Sequence, residues 1–363
     1  MTKCHIKSVG KRRDGGTRYW CFVHHADATA KYGRPAFECR YAHVALPTEE
    51  ETLSLVLSDF PGGVALWGAV PPVYDTTALP ADRGIHVHAR LKQNGDKIID
   101  KTFRGIRIRT SSEDTEGFGV DELDAIYFMV SKVFNKETRV IKCTKCGYSH
   151  LDKDWFSVHA HKSHLCAGCG MHFSDLTIGV GNPLIALQEH CESNKLRQLV
   201  AAKRKLEIHQ KDYPDGIQIW GSNPAIVWTS TKSEEEGIHV HAYKQNQEGY
   251  AIDNTYDSVS IDGIHLDAAM VRKLMAQNTL PHIEGRVKDL VCPYCHQSHF
   301  DSDDFAFTPH ETHLCEWCGR EFKATGRTRK TIGNPLIGII ERLSHNAPRQ
   351  LQKHNLGLLP ETI

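Results

Sequence analysis

Eight of the twelve cysteines stand in C-x-x-C pairs. Cys143-Thr-Lys-Cys146 lies 19 residues before Cys166-Ala-Gly-Cys169, and Cys292-Pro-Tyr-Cys295 lies 19 before Cys315-Glu-Trp-Cys318. Each C-x-x-C turn aims two sulfurs at one point, and four thiolates at this spacing suit one tetrahedral zinc ion. Four soft ligands close the coordination sphere, as in a structural rather than a catalytic site. Other ligand types sit close by: His150, Asp152, His161 and His164 between the first pairs, His299, Asp301, His310 and His313 between the second. They either orient the zinc loops from outside or form a separate nitrogen/oxygen site with open positions. A further set, His86-Val-His88 and His239-Val-His241, puts two imidazoles on one strand face. There they can share a metal or pack on a hairpin surface. Near the N-terminus, Cys21-Phe-Val-His24 and Cys39-Arg-Tyr-Ala-His43 give a two-Cys, two-His pattern, with Cys4, His5 and His25 as substitute ligands.

The segments 143–170 and 292–319 resemble the broad zinc-ribbon class, a resemblance that implies a Cys4 zinc site and no particular activity. The likeness between the two parts of the chain runs wider. Asp59-Phe-Pro61, Trp67-Gly68 and Pro71 align with Asp212-Tyr-Pro214, Trp220-Gly221 and Pro224. Gly84-Ile-His-Val-His-Ala89 matches Gly237-Ile-His-Val-His-Ala242, while Asp100 and Thr102 match Asp253 and Thr255. Gly181-Asn-Pro-Leu-Ile185 matches Gly333-Asn-Pro-Leu-Ile337. Repeats this long are domains rather than solenoid units. The expected organisation is an N-terminal metal-stapled segment over 1–50, repeat 1 over 51–192, a helical bridge over 193–211, repeat 2 over 212–345 and a tail over 346–363.

The elements that position these residues follow from pattern. Val64-Ala-Leu-Trp and Ile217-Gln-Ile-Trp read as short buried strands, and Ile85-His-Val-His-Ala alternates as a strand facing two ways. Asn94-Gly95 suggests a two-residue hairpin turn, which sets Asp100 opposite Ala89 and on the other face from His86 and His88. The stripe Val120, Leu123, Ile126, Tyr127, Val130, Val133 and Phe134 predicts a helix behind Asp121, and Leu266, Met270, Val271, Leu274 and Met275 predict its counterpart. Asn182-Pro183 and Asn334-Pro335 open further helices as N-cap and first helical residue. The fold class expected is α+β: two homologous tandem domains, each a small antiparallel sheet plus helix with an inserted zinc ribbon.

With 44 basic and 44 acidic residues the formal net charge is zero, so no global field marks a nucleic-acid binder. No apolar run approaches a membrane span, no signal-peptide core follows Met1, and the cysteines are spaced for metal rather than for disulfides. A cytoplasmic protein is expected. Basic patches occur where the copies differ: Arg104, Arg107 and Arg109 in one strand, Lys203, Arg204 and Lys205 in the bridge, and Arg327, Arg329 and Lys330 after the second cysteine set. Such patches meet phosphates or remain solvated. The H-E-x-x-H, zinc-deaminase, P-loop and G-x-S-x-G signatures are missing from the sequence.

The leading functional reading is a non-catalytic, zinc-stabilised scaffold that recognises a nucleic acid or a protein partner, and an internal pseudo-dimer of the two repeats is the arrangement this suggests. One alternative is a metal-dependent hydrolase or nuclease using the repeated histidines and aspartates. Another is a small-ligand binder between the repeats, with Trp67 and Trp220 near its wall.

Overall fold

Strict alternation in Ile85-His86-Val87-His88-Ala89 produces a strand with one apolar and one polar face, and the Gly84–Arg90 strand that forms lies inside a four-stranded sheet. The computed structural model describes residues 3–23, 26–39, 51–69, 73–76, 84–92, 96–115, 117–134, 137–192, 205–222, 227–229, 237–244, 250–279, 286–325 and 329–344. It is an α+β chain of small sheets and few helices. Contacts divide it into two units. The first comprises Met1–Gly68, Gly84–Lys195 and Ile226–Ser230; the second comprises Ala69–Arg83, Leu196–Ala225 and Thr231–Ile363. Among the described residues, no helix is long and apolar enough to cross a membrane.

In the first unit the sheet order is Ile99–Phe103, Gly84–Arg90, Gly63–Ala69, Val227–Trp228. In the second it is Ile252–Tyr256, Gly237–Ala242, Ile217–Ser222, Tyr74–Asp75, antiparallel throughout. The edge strand of each sheet thus comes from a distant stretch of the chain, Val227–Trp228 in the first and Tyr74–Asp75 in the second. The two edges are fixed alike. Val64 N donates to Thr229 Oγ1 at 2.8 Å and Ile217 N to Thr76 Oγ1 at 2.6 Å, while Thr229 N and Thr76 N each donate back to the carbonyl of the residue they cap.

Each unit also holds a three-stranded sheet. Gly105–Arg109 pairs antiparallel with Phe118–Asp121 and parallel with Thr52–Val56. Ser258–Ile261 pairs antiparallel with Ile264–Asp267 and parallel with Lys205–Ile208. These sheets are therefore mixed, where antiparallel ones were expected. Lys205 lies on a strand and not on a helical bridge, because Leu206 and Ile208 complete the mixed sheet; residues 193–204, Lys203 and Arg204 among them, lie outside the described residues. The basic run expected as one strand breaks at Arg104 into Ile99–Phe103 and Gly105–Arg109, which join different sheets.

The helix Glu122–Val133 starts at a capping box formed by Asp121 and Asp124. Its counterpart Ala268–Thr279 starts behind Asp267, whose carboxylate accepts from Ala269 N at 2.6 Å. Asn182 Oδ1 and Asn334 Oδ1 accept from Leu184 N and Leu336 N and so cap the helices Leu184–Glu192 and Pro335–Ser344. In the first unit Ile85, Val87 and Ala89 join Leu55, Val64, Leu66, Ile106, Ile108, Phe128 and Leu187 in one core. Burying this face leaves His86 and His88 on the other.

Candidate metal centres

The thiolate sites follow the cysteine spacing. Gly147 N donates to Cys143 O at 2.8 Å and Gly170 N to Cys166 O at 2.8 Å, closing two tight turns that hold the sulfurs together. His296 and Gly319 close the matching turns around Cys292 and Cys315. Sulfur separations are 4.0 Å for Cys143–Cys169, 3.6 Å for Cys146–Cys166, 3.8 Å for Cys292–Cys318 and 3.6 Å for Cys295–Cys315. A tetrahedron with metal–sulfur bonds of about 2.3 Å has edges of about 3.8 Å, so each cluster can hold one ion. Burial opposes ionisation of Cys292, but the backbone N–H groups of Cys295 and Tyr294 bring its thiol down to about 6.

A third cluster unites Cys4, Cys21 and Cys39, with Cys4 and Cys39 sulfurs 3.7 Å apart. Cys4, a substitute ligand on sequence grounds, is a central member; His24 and His43 lie outside the described residues. The N-terminal segment rests on the first cysteine segment. Trp20 Nε1 donates to Ala167 O at 3.3 Å, and the Trp20 ring fills the space that a Cβ on Gly170 would need.

The H-x-H strands supply a different kind of site. Asp100 stands opposite His88 and Thr102 opposite His86, since Ile99 rather than Asp100 pairs with Ala89. This corrects the register expected from a two-residue turn at Asn94-Gly95, which lies outside the described residues. A slip of one residue moves every side chain to the other face, and here it brings the carboxylate onto the histidine side. His86 Nε2 lies 3.0 Å from His88 Nε2, and Asp100 Oδ1 lies 3.2 and 3.3 Å from the two nitrogens. The second unit repeats the triangle: His239 Nε2 to His241 Nε2 is 3.0 Å, and Asp253 Oδ1 is 3.4 and 3.5 Å away. Thr102 and Thr255 hydroxyls fix Nδ1 of His86 and His239 at 3.0 Å. Trp67 and Trp220 meet His88 and His241 edge-on at 4.8 Å.

Three donor atoms about 3.0–3.4 Å apart are the spacing of three adjacent ligands around a cation with bonds of about 2.1 Å. The ionisation states suit that role. Burial lowers the His88 pKa, opposed by the hydrogen bond to Asp100, so the imidazole stays neutral. Burial acts against the Asp100 carboxylate, yet His86, His88 and Lys97 together hold its pKa well below the usual range. The Asp100 side chain remains 26% exposed and His86 20%, so the outer side of the triangle faces solvent.

The histidines between the cysteine pairs form a closed cluster. Asp152 Oδ1 lies 2.6 Å from His150 Nε2 and 3.3 Å from His161 Nε2; Oδ2 lies 3.3 Å from His164 Nδ1 and accepts from Gly181 N at 2.7 Å. Ala167 N donates to His150 Nδ1, so His150 carries its proton on Nε2 and donates to Asp152. His161 Nδ1 points at the His159 carbonyl at 2.6 Å and must donate there. Asp301 gathers His299, His310, His313 and Gly333 N in the same way, at 2.6, 3.2, 3.2 and 2.6 Å. Burial disfavours the Asp152 and Asp301 carboxylates, but three imidazoles pull both pKa values far down; burial also lowers His161 and His310, yet the aspartate contacts and a backbone carbonyl together raise both. A Cβ on Gly181 or Gly333 would sit 2.9–3.0 Å from the His150 or His299 carbonyl oxygen, which explains glycine there.

The basic residues are dispersed. Arg104 pairs with Glu122 at 3.5 Å; Arg107, Lys205, Arg329 and Lys330 are exposed, Arg109 is half-buried, and Arg327 lies outside the described residues. Sequence reasoning undervalued Asp100, Asp253, Thr102 and Thr255, although their recurrence at the offset of the histidines was the available signal. Comparison of the chain with protein-family models, curated proteins and solved structures found no match. No whole-chain family is assigned.

Proposed function

We propose that the chain is a duplicated, zinc-stapled protein whose two H-x-H triads hold divalent cations for hydrolysis of phosphodiester bonds in a nucleic acid. The carrying observation is the convergence of His86, His88 and Asp100 on one solvent-facing point, with the matched triad in the second unit. On this reading the Cys4 clusters are zinc-ribbon sites whose ions replace the apolar core that such short segments lack. The Asp152 and Asp301 clusters lock each ribbon to the domain beneath it.

In the triad, Asp100 would supply charge and the two imidazoles would supply nitrogen donors to a bound cation, with its remaining positions open to substrate and water. A cation held there would supply Lewis-acid chemistry, polarising a phosphoryl oxygen and lowering the pKa of a bound water. Thr102 orients the His86 ring, and Trp67 limits water on one side of His88. Support for an anionic substrate comes from Lys97, whose ammonium stands beside Asp100, and from exposed Lys101 on the same strand as Asp100. A second reading, the non-catalytic scaffold, draws on Lys97 Nζ at 2.6 Å from Asp100 Oδ2, which lets the first triad stand as a metal-free hydrogen-bonded cluster.

The test is cleavage of labelled single- and double-stranded oligonucleotides by zinc-loaded protein with added manganese(II) or magnesium. Activity that needs the added cation and disappears in a His86→Ala/His239→Ala variant of normal zinc content is expected. Metal-independent cleavage, or none with any cation, overturns the hydrolase reading in favour of the scaffold.

A further inference from the structure

The two triads agree in their donor atoms and differ in what stands beside them. In the first unit Lys97, three residues before Asp100, puts its ammonium 2.6 Å from Asp100 Oδ2 while Oδ1 faces the imidazoles. The matched position, three residues before Asp253, is Tyr250. Its ring stacks on His241 with centroids 4.1 Å apart and planes at 24°. Tyr243 packs against Tyr250 at 5.0 Å and donates its hydroxyl to Gln218 Oε1 at 3.3 Å, which steadies that wall. The residue matched to Tyr243 in the first unit is Arg90.

We propose that the second triad is the high-affinity divalent-cation site and that Lys97 keeps the first triad a low-affinity one. The inference rests on the triads being cation sites. A carboxylate shared with an ammonium has part of its charge already neutralised, and a cation entering the triangle meets a positive group across the same carboxylate. Both effects weaken binding, and at this separation they amount to about 10- to 100-fold in affinity. Tyr250 adds no charge and stacks on one face of His241, which holds the ring in its ligating orientation. Lys97 is thus a positioning residue that competes with the ion, and the first triad fills only at cation concentrations that already saturate the second.

Manganese(II) binding to full-length, zinc-loaded protein, followed by electron paramagnetic resonance of the free ion, tests this. A His86→Ala/His88→Ala variant reports the second site alone and a His239→Ala/His241→Ala variant the first. The expected result is binding about 10- to 100-fold tighter in the former, with Lys97→Met in the latter background closing most of the gap. Equal affinities, or a gap that Lys97→Met leaves unchanged, overturn the role given to Lys97 while leaving both cation sites intact. No manganese bound by the wild-type protein overturns the cation reading itself. If a double variant loses zinc or melts early, Lys97→Met alone in the wild-type chain serves: it must convert a two-class isotherm into a single class of two sites, and an unchanged two-class isotherm overturns the proposal.

Discussion

The triad of His86, His88 and Asp100 and the cluster of His150, Asp152, His161 and His164 use the same side-chain types, yet they end in opposite conditions. In the cluster both carboxylate oxygens are spent on imidazoles and a backbone N–H, and Asp152 is 4% exposed. In the triad the donor atoms converge on a point facing solvent, with Asp100 six times more exposed. Histidine and aspartate at short range are therefore no signature by themselves. What separates a brace from a ligand site here is whether the convergent donor atoms are open to solvent, since Asp100 is partnered on both oxygens as Asp152 is.

The largest effect expected from this contrast is on folding. Asp301→Asn removes the charge that three imidazoles surround, and breaking such a buried set costs about 3–5 kcal/mol; denaturant unfolding of the zinc-loaded protein measures it. A loss below about 1 kcal/mol would show that the cluster is no brace. Asp253→Asn is expected to do the reverse, lowering manganese affinity at least about 100-fold while changing stability by less than about 1 kcal/mol. Comparable stability losses in the two variants would erase the distinction.

Acidity separates the regions with opposite signs. Asp152 and Asp301 have depressed pKa values in the fold, so their contribution is present above about pH 4 and is lost as pH falls below it. His161 and His310 are raised, so their contribution is complete below about pH 6.5 and is lost as pH climbs through the raised folded values. The triad behaves otherwise, because burial lowers the His88 pKa and ligation needs neutral imidazole, so cation affinity rises with pH across the same range. Thermal melts and manganese titrations at pH 5, 6, 7 and 8 are expected to move in opposite directions above pH 6.5.

The smallest effect concerns the knuckles. Gly147, Gly170 and Gly319 take φ of 74°, 70° and 68° after the second cysteine of their pairs, and His296 takes 59° at the fourth such position. His296→Gly is expected to stabilise the segment around the second Cys4 cluster by about 0.5–1 kcal/mol, read from its melting temperature, because the left-handed conformation costs a residue with a Cβ. Destabilisation instead would mean that the His296 side chain has a role of its own.

The pattern of donors was legible in the sequence where chemistry is local. A C-x-x-C turn, an Asn-Pro helix start and an alternating strand each depend on a few neighbouring residues, and those were readable. The partner of His86 and His88 depended on register across a loop, and the Asn94-Gly95 dipeptide pointed to the wrong one. Its recurrence as Asp253 was better evidence than the turn rule, since a carboxylate kept at the same offset from two kept histidines shares their constraint. Lys205–Ile208 was hidden for another reason: a strand that starts in a basic run looks like the end of a charged helix. The origin of the edge strands has no local signature at all. Tyr74–Asp75 and Val227–Trp228 would pair as readily with the preceding strand of their own repeat as far as sequence alone can tell.

That exchange of edge strands has a genetic consequence. A chain cut near residue 200 would give two fragments, each carrying the strand that finishes the other's sheet and lacking its own. The two halves of the chain are therefore expected to be inherited together, since deletion of either would leave the other's four-stranded sheet short of an edge strand.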